Sequence, residues 1–338
     1  RSIAYVSSTG PDVGGSALTP TRHLAATRVG QDERKLLTPD LDRNVSNPEY
    51  SADGEIIYFR LEDSGQNHFA SVESDGGGLT RLLERQVSVG DFSVVGEHTV
   101  LLMGQADQPP ELYTFDNGTL SQLTSVSAET LDGVARAGVE KLQFESADGT
   151  PVEAFFFTPI DYDDSKRYPT ILWLHGGPAS QFTYNFHAIG QLYAAHGYVV
   201  IMPNPRGSTG YGQDFAMGTV ARWGDKDFED VMAAVDHGIE LDMVDPDRMG
   251  VGGWSYGGIL TNYVITQTGR FKAAISGASL GLVTANYGHD HYQLMYELEF
   301  GLPWEEPERW TALSPFSKVE AITTPTLWMG GALDWLSL

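Results

Sequence analysis

Cysteine is absent from all 338 residues, which removes disulfides, thiolate metal sites and cysteine nucleophiles together. Basic residues are scarce as well: 21 Lys and Arg face 45 Asp and Glu, a formal net charge of −24. Nucleic acid and anionic membrane surfaces both call for basic patches, so neither is expected as a partner. The acidic surplus fits either a salt-rich habitat or an ordinary acidic enzyme. No stretch approaches the roughly 18 apolar residues needed to cross a membrane. The opening Arg1-Ser2-Ile3-Ala4-Tyr5-Val6 is too short in its apolar part for a secretory signal and reads as a chain entered in mid-domain. A soluble protein is expected, with the cytoplasm, the periplasm and secretion all left open.

What the chain does contain falls into two parts, each long enough to bury its own core. Residues 1–132 carry a repeat. His23-Leu24-Ala25-Ala26-Thr27, His68-Phe69-Ala70-Ser71-Val72 and Glu111-Leu112-Tyr113-Thr114-Phe115 recur 45 and then 43 residues apart. A second echo, Lys35-Leu36-Leu37-Thr38, Arg81-Leu82-Leu83-Glu84 and Ser121-Gln122-Leu123-Thr124, recurs at 46 and 40. Apolar strand candidates at Ile3–Val6, Ile56–Phe59 and Val100–Met103 precede each pair. A period near 44 with several short strands per unit, and turns such as Ser51-Ala52-Asp53-Gly54, predicts about three blades of a β-propeller. A propeller closes with at least four blades, so the sequence is expected to be cut from a larger one. His23, His68 and His98 lie on or beside these strands and are read as structural.

From about residue 133 the pattern changes to strands alternating with helices. Strands are predicted at Lys141–Glu145, Val152–Thr158, Thr170–Leu174, Tyr198–Met202, Arg248–Gly252, Ala273–Ser276 and Thr326–Met329. Helices are predicted at Phe186–His196, Asp225–Ile239 and Tyr256–Thr268. Runs such as Val199-Val200-Ile201-Met202 are continuously apolar, as strands buried on both faces must be. The fold class that follows is a doubly covered, mostly parallel sheet of the α/β-hydrolase type, occupying residues 133–338 behind part of a propeller.

Three motifs on that sheet bear on chemistry. Gly253-Trp254-Ser255-Tyr256-Gly257 has the Gly-x-Ser-x-Gly pattern of a nucleophile held on a tight strand-to-helix turn. Leu174-His175-Gly176-Gly177-Pro178 follows a buried strand, and its glycine-rich backbone can present N–H groups to an oxyanion. The backbone amides of Tyr256 and Gly177 are the two expected donors. Asp334, in Gly330-Gly331-Ala332-Leu333-Asp334, lies 79 residues after the serine, at a strand end where the acid of a triad belongs. The base is missing. All nine histidines, at 23, 68, 98, 175, 187, 196, 237, 289 and 291, precede Asp334, whereas the triad order is serine, acid, histidine. His175 is read as structural, His289 and His291 as out of order, and the triad histidine as lying beyond Leu338. A chain ending there is expected to be nearly inactive. The aromatic segment Tyr287–Phe300, with Tyr287 and Tyr292, is a candidate pocket lining for substrate.

Taken together, the repeated propeller units, His175-Gly176-Gly177-Pro178, Asn204-Pro205-Arg206-Gly207-Ser208-Thr209-Gly210-Tyr211-Gly212, Gly253-Trp254-Ser255-Tyr256-Gly257-Gly258 and Gly331-x-x-Asp334 resemble the prolyl oligopeptidase family of serine peptidases, in its acylaminoacyl-peptidase and dipeptidyl-peptidase-like branch. The resemblance implies Ser255 as nucleophile, Asp334 as acid, Tyr256 and Gly177 as oxyanion donors, and Arg206 near the entrance of the substrate site. It also implies short peptide substrates, an acyl-enzyme and no metal or organic cofactor. Self-association into a homo-oligomer stays open. No glutamate pair suited to holding a substrate amine is found in residues 1–132, which leaves exopeptidase specificity open. An esterase or lipase with the same triad, and a catalytically silent binding protein, are the competing functions; the propeller speaks against the first and the intact motifs against the second.

Overall fold

The computed structural model describes residues 2–8, 21–30, 34–83, 85–288 and 290–334. The repeat of the first part becomes three antiparallel units. The first holds β1 (Ser2–Ser8), β2 (Arg22–Arg28) and β3 (Arg34–Leu36). The second holds β4 (Val45–Tyr50), β5 (Ile56–Asp63), β6 (Gln66–Glu73) and β7 (Thr80–Arg81). The third holds β8 (Ser88–Val95), β9 (His98–Gln105), β10 (Gln108–Asp116) and β11 (Thr119–Gln122). The second and third units touch edge to edge at the single pair Asn67 and Ser88. Alternation along β5 puts Ile57, Phe59 and Leu61 on one face with no exposed surface, as a half-buried strand requires.

The two echoes of the sequence are partners in space. Leu37 N–H donates to the Leu24 carbonyl, Leu82 to Phe69 and Leu123 to Leu112, at 2.8–2.9 Å. The polar residue that opens the first echo is buried in each unit and turned toward the segment that leaves it. His23 Nδ1 is 2.6 Å from the Thr38 carbonyl, and His68 Nδ1 is 3.5 Å from that of Leu83. The Glu111 carboxylate accepts from Ser127 N–H and Oγ–H, Thr124 Oγ–H and Val126 N–H. The backbone bond from Ser127 leads these in holding the Glu111 pKa down to about 2. His23 and His68 are thus structural, as their place on the strands suggested.

A short helix α1 (Ala128–Leu131), capped by Asp132, leads into the second part. Its strands are β12 (Gly138–Glu145), β13 (Pro151–Thr158), β14 (Tyr168–Leu174), β15 (Val199–Asn204), β16 (Val244–Trp254), β17 (Ala273–Gly277) and β18 (Thr326–Met329). They form one sheet in the order β12-β13-β15-β14-β16-β17-β18. The first three are antiparallel and the remainder parallel. This is the α/β-hydrolase arrangement, and the antiparallel edge is why the sheet is mostly rather than wholly parallel.

Continuous apolar strands are explained by cover on both faces. Phe156, Leu172, Val199 and Ile201 pack toward α4 (Lys226–Glu240) and α5 (Tyr256–Gln267). Their neighbours Phe155, Phe157, Val200 and Met202 pack toward α2 (Ala188–Ala195) with Phe182 and Tyr184. Shorter helices complete the chain: α3 (Gln213–Ala216), α6 (Val283–Tyr287), α7 (Gln293–Phe300) and α8 (Pro307–Ala312). The β5–β6 hairpin turn joins the two parts. Its turn residues Ser64 and Gly65 have φ of 49° and 71°; Ser64 N–H donates to Gly210 O, and Gly65 O accepts from Tyr184 N–H. No described helix is long and apolar enough to cross a membrane.

Candidate active site

Strand β16 ends at Trp254 and helix α5 begins at Tyr256, leaving Ser255 alone in the turn. Its φ of 58° and ψ of −125° lie where a residue with a side chain is strained, at a cost of about 1–3 kcal/mol. Surrounding contacts hold it there. Ser255 N–H donates to Gly277 O at 2.9 Å, and its carbonyl accepts from Gly258 and Ile259 N–H. The flanking glycines are forced by contact. A Cβ on Gly253 would lie 2.5 Å from the Gly257 carbonyl, and one on Gly257 would lie 2.1 Å from Leu174 O. The turn can form only where strand, helix and the end of β14 come this close.

Ser255 opens on a cleft of about 430 Å³. Gly177 and Pro178 from the loop after β14 form one wall, with Tyr256 and Trp254 around the serine. Trp223, Tyr292, Met295 and Tyr296 make the apolar side. Asp334, three residues after the Gly331 carbonyl that its N–H meets at 3.0 Å, reaches the same cleft. So four residues singled out in the sequence for the chemistry, Ser255, Tyr256, Gly177 and Asp334, border one space, together with Tyr292.

His175 sits beside the cleft with both ring nitrogens engaged, Nδ1 2.7 Å from Gly176 O and Nε2 2.9 Å from Ser208 Oγ. Burial pushes its pKa down to about 4, so the ring is neutral and fixes its loop. His187 is likewise committed to the Thr183 carbonyl. The His291 ring lies 4.4 Å from that of Tyr292 without bordering the cleft. His289 and the segment 335–338 lie outside the described residues. Among the described residues no histidine lines the cleft, and no group of three or more His, Asp or Glu is arranged to hold a metal.

Two residues expected at the substrate site are placed elsewhere. Arg206 is only 11% exposed and does not border the cleft. Its guanidinium grips Asp230 through Nε and Nη2, Asp148 through Nη1 and Ser146 through Nη2, and its N–H also reaches Asp230. Those carboxylates hold it charged and spend its donors on fastening the 204–212 loop to α4. Tyr287 turns its hydroxyl to Glu297 and its ring edge-on to Trp304 and Trp310, inside the helical layer. The two tyrosines belong to different helices: Tyr287 ends α6, whereas Tyr292, Met295 and Tyr296, spaced i, i+3, i+4 at the start of α7, share the face toward the cleft.

Sequence reading missed Trp223, Trp254 and Arg22 as cleft residues. Trp254 stood inside the serine motif and is 51% exposed, so it could have been found there. Arg22, on β2 of the first unit, carried no signal, because its nearness depends on how the two parts meet.

The prolyl oligopeptidase family matches over residues 184–335. The peptidase YuxL of Bacillus subtilis is 32% identical over 85% of this chain and 44% of its own length. Dipeptidyl-peptidase 5 of Porphyromonas gingivalis is 28% identical over 93% and 47%. The acylaminoacyl peptidase of Pyrococcus horikoshii superposes with a TM-score of 0.84 at 27% identity, over 94% of this chain and 50% of that one. The chain therefore spans about half the length of the relatives it matches. Over residues 184–335 the chain matches the prolyl oligopeptidase family, and it shares with that family's relatives the architecture of propeller and α/β-hydrolase sheet.

Proposed function

We propose that residues 133–338 carry the nucleophile, oxyanion site and acid of a serine peptidase that cleaves short peptides, with residues 1–132 supplying propeller blades over its cleft. The observation that carries this reading is the convergence on one cleft of a strained, exposed Ser255 with Tyr256, Gly177 and Asp334. Ser255 Oγ attacks the peptide carbonyl, and the resulting oxyanion takes hydrogen bonds from the Tyr256 and Gly177 amides. The amine leaves with a proton, and water then releases the acid from the acyl-enzyme. Asp334 orients the histidine that moves these protons. The base is contributed from outside the described residues. A substrate that is a short peptide suits a cleft bordered by Arg22 from the propeller side as well as by the sheet.

Intact mass spectrometry after fluorophosphonate treatment tests this. The complete product of the gene is expected to gain one adduct, on Ser255, and S255A none; the 338-residue chain is expected to label weakly. Strong labelling of the 338-residue chain would assign the base to one of its own histidines, and no labelling of either form would overturn the serine-hydrolase reading. Comparing a peptide anilide with a simple ester of the same acyl group separates a peptidase from an esterase.

A further inference from the structure

We infer that Asp227 is a positioning residue for the oxyanion site, holding the Tyr256 amide in place through the Tyr256 hydroxyl. This rests on the serine-peptidase reading above. Asp227 is the second residue of α4, has no exposed surface, and takes no part in the motifs of the sequence. Its Oδ2 accepts from Tyr256 Oη–H at 2.6 Å, and its Oδ1 accepts from Phe228 N–H.

A strained turn persists only where the structure on both sides of it leaves no alternative. Before the nucleophile, Ser255 N–H is pinned to Gly277 O. After it comes Tyr256, which borders the cleft yet is buried, with its hydroxyl end in the core. Its ring is boxed by Trp223, edge-on at 5.3 Å, and its far end is tied to Asp227. A bond at the tip of a long, rigid side chain restricts rotation of the backbone it springs from more than contact near Cα does. The anchor is itself fixed: Asp230, one turn along α4, is gripped by Arg206. Burial also raises the Asp227 pKa to about 7, and a buried acid beside a buried hydroxyl is a costly way to fill space that phenylalanine and an aliphatic residue could fill. The directional tether is what the pair adds.

The test is steady-state kinetics of the complete gene product on a peptidyl p-nitroanilide, with kcat expressed per Ser255 titrated by fluorophosphonate. Y256F deletes only the hydroxyl, and D227A removes its partner. Both are expected to lower kcat per titrated site by about 10- to 100-fold, less than or equal to the loss of a whole oxyanion donor, with KM within about twofold. D227N, which retains an acceptor for the hydroxyl, is expected to recover most of that loss. Should D227A fold poorly, fewer sites titrate but Y256F still decides. A kcat per titrated site within twofold of the unsubstituted protein in Y256F overturns the inference, as does a loss confined to KM. Turnover that survives in S255A overturns instead the reading beneath it.

Discussion

Gly257→Ala puts one methyl group where the structure has least room for it. The added carbon would stand 2.1 Å from the Leu174 carbonyl oxygen, 2.7 Å from its carbon and 2.9 Å from His175 O. All three are backbone atoms in β14 or the loop that follows it, so no side chain can swing aside. Restoring an ordinary contact of 3.4 Å requires the first turn of α5 to retreat by roughly 1.3 Å, carrying Ser255 and the Tyr256 amide with it. Overpacking of this kind costs about 3 kcal/mol, near the upper end of its usual range because both partners are backbone. For a domain of this size that is a fall in Tm of roughly 6 °C. The catalytic consequence is steeper, since a displacement near 1 Å costs on the order of 100-fold in a reaction that depends on alignment. The measurement is the rate of fluorophosphonate labelling of the complete gene product together with its thermal unfolding, set against Gly281→Ala, where an added Cβ meets nothing within 4 Å. Labelling within twofold of the unsubstituted protein, with unchanged Tm, would refute the close-approach account of the motif.

Three further expectations follow from the same contacts. Arg206→Ala leaves Asp230 buried without its cation, at about 3–5 kcal/mol, and should lower the urea midpoint and kcat; a rise in KM alone would restore Arg206 to the substrate site. Glu299 holds Trp223 Nε1 and Ala221 N–H with one oxygen, while its other, Oε2, is buried without a partner among the described residues. Burial raises its pKa from 4.5 to about 7. The folded protein therefore binds this proton more tightly than the unfolded chain, and stability is lost as pH rises from 4.5 to 7. Glu299→Gln is expected to gain about 3 kcal/mol relative to the unsubstituted protein between pH 5 and pH 8; urea midpoints whose difference is the same at both pH values would contradict it. Asp227 titrates over a similar range in both proteins, so the comparison isolates Glu299. Trp254→Ala strips the half-exposed ring from the cleft wall and should raise KM for an apolar peptidyl anilide several-fold, with labelling of Ser255 little changed.

Much of this protein was legible in its sequence because the relevant physics is local. The Gly-x-Ser-x-Gly turn admits few backbone solutions, so Ser255 could be placed between a strand and a helix before any contact was known. Runs such as Val199-Val200-Ile201-Met202 declared burial on both faces, and the 44-residue period declared the repeated units, while the pairing of one echo with the other emerged only in the fold. Tertiary structure alone decided what each long polar side chain met. Arg206 stood in a motif that suggested substrate, yet three neighbours from 146, 148 and 230 take its donors. Tyr287 and Tyr292 were equal as aromatics in one segment, yet Tyr287 closes α6 against Trp310 while Tyr292 opens α7 on the cleft. Asp227, 29 residues from Tyr256 in sequence, met its hydroxyl only because α4 and α5 pack side by side. Backbone geometry is set by neighbours along the chain, whereas the partner of a side chain is set by whatever the fold brings within 3 Å of it.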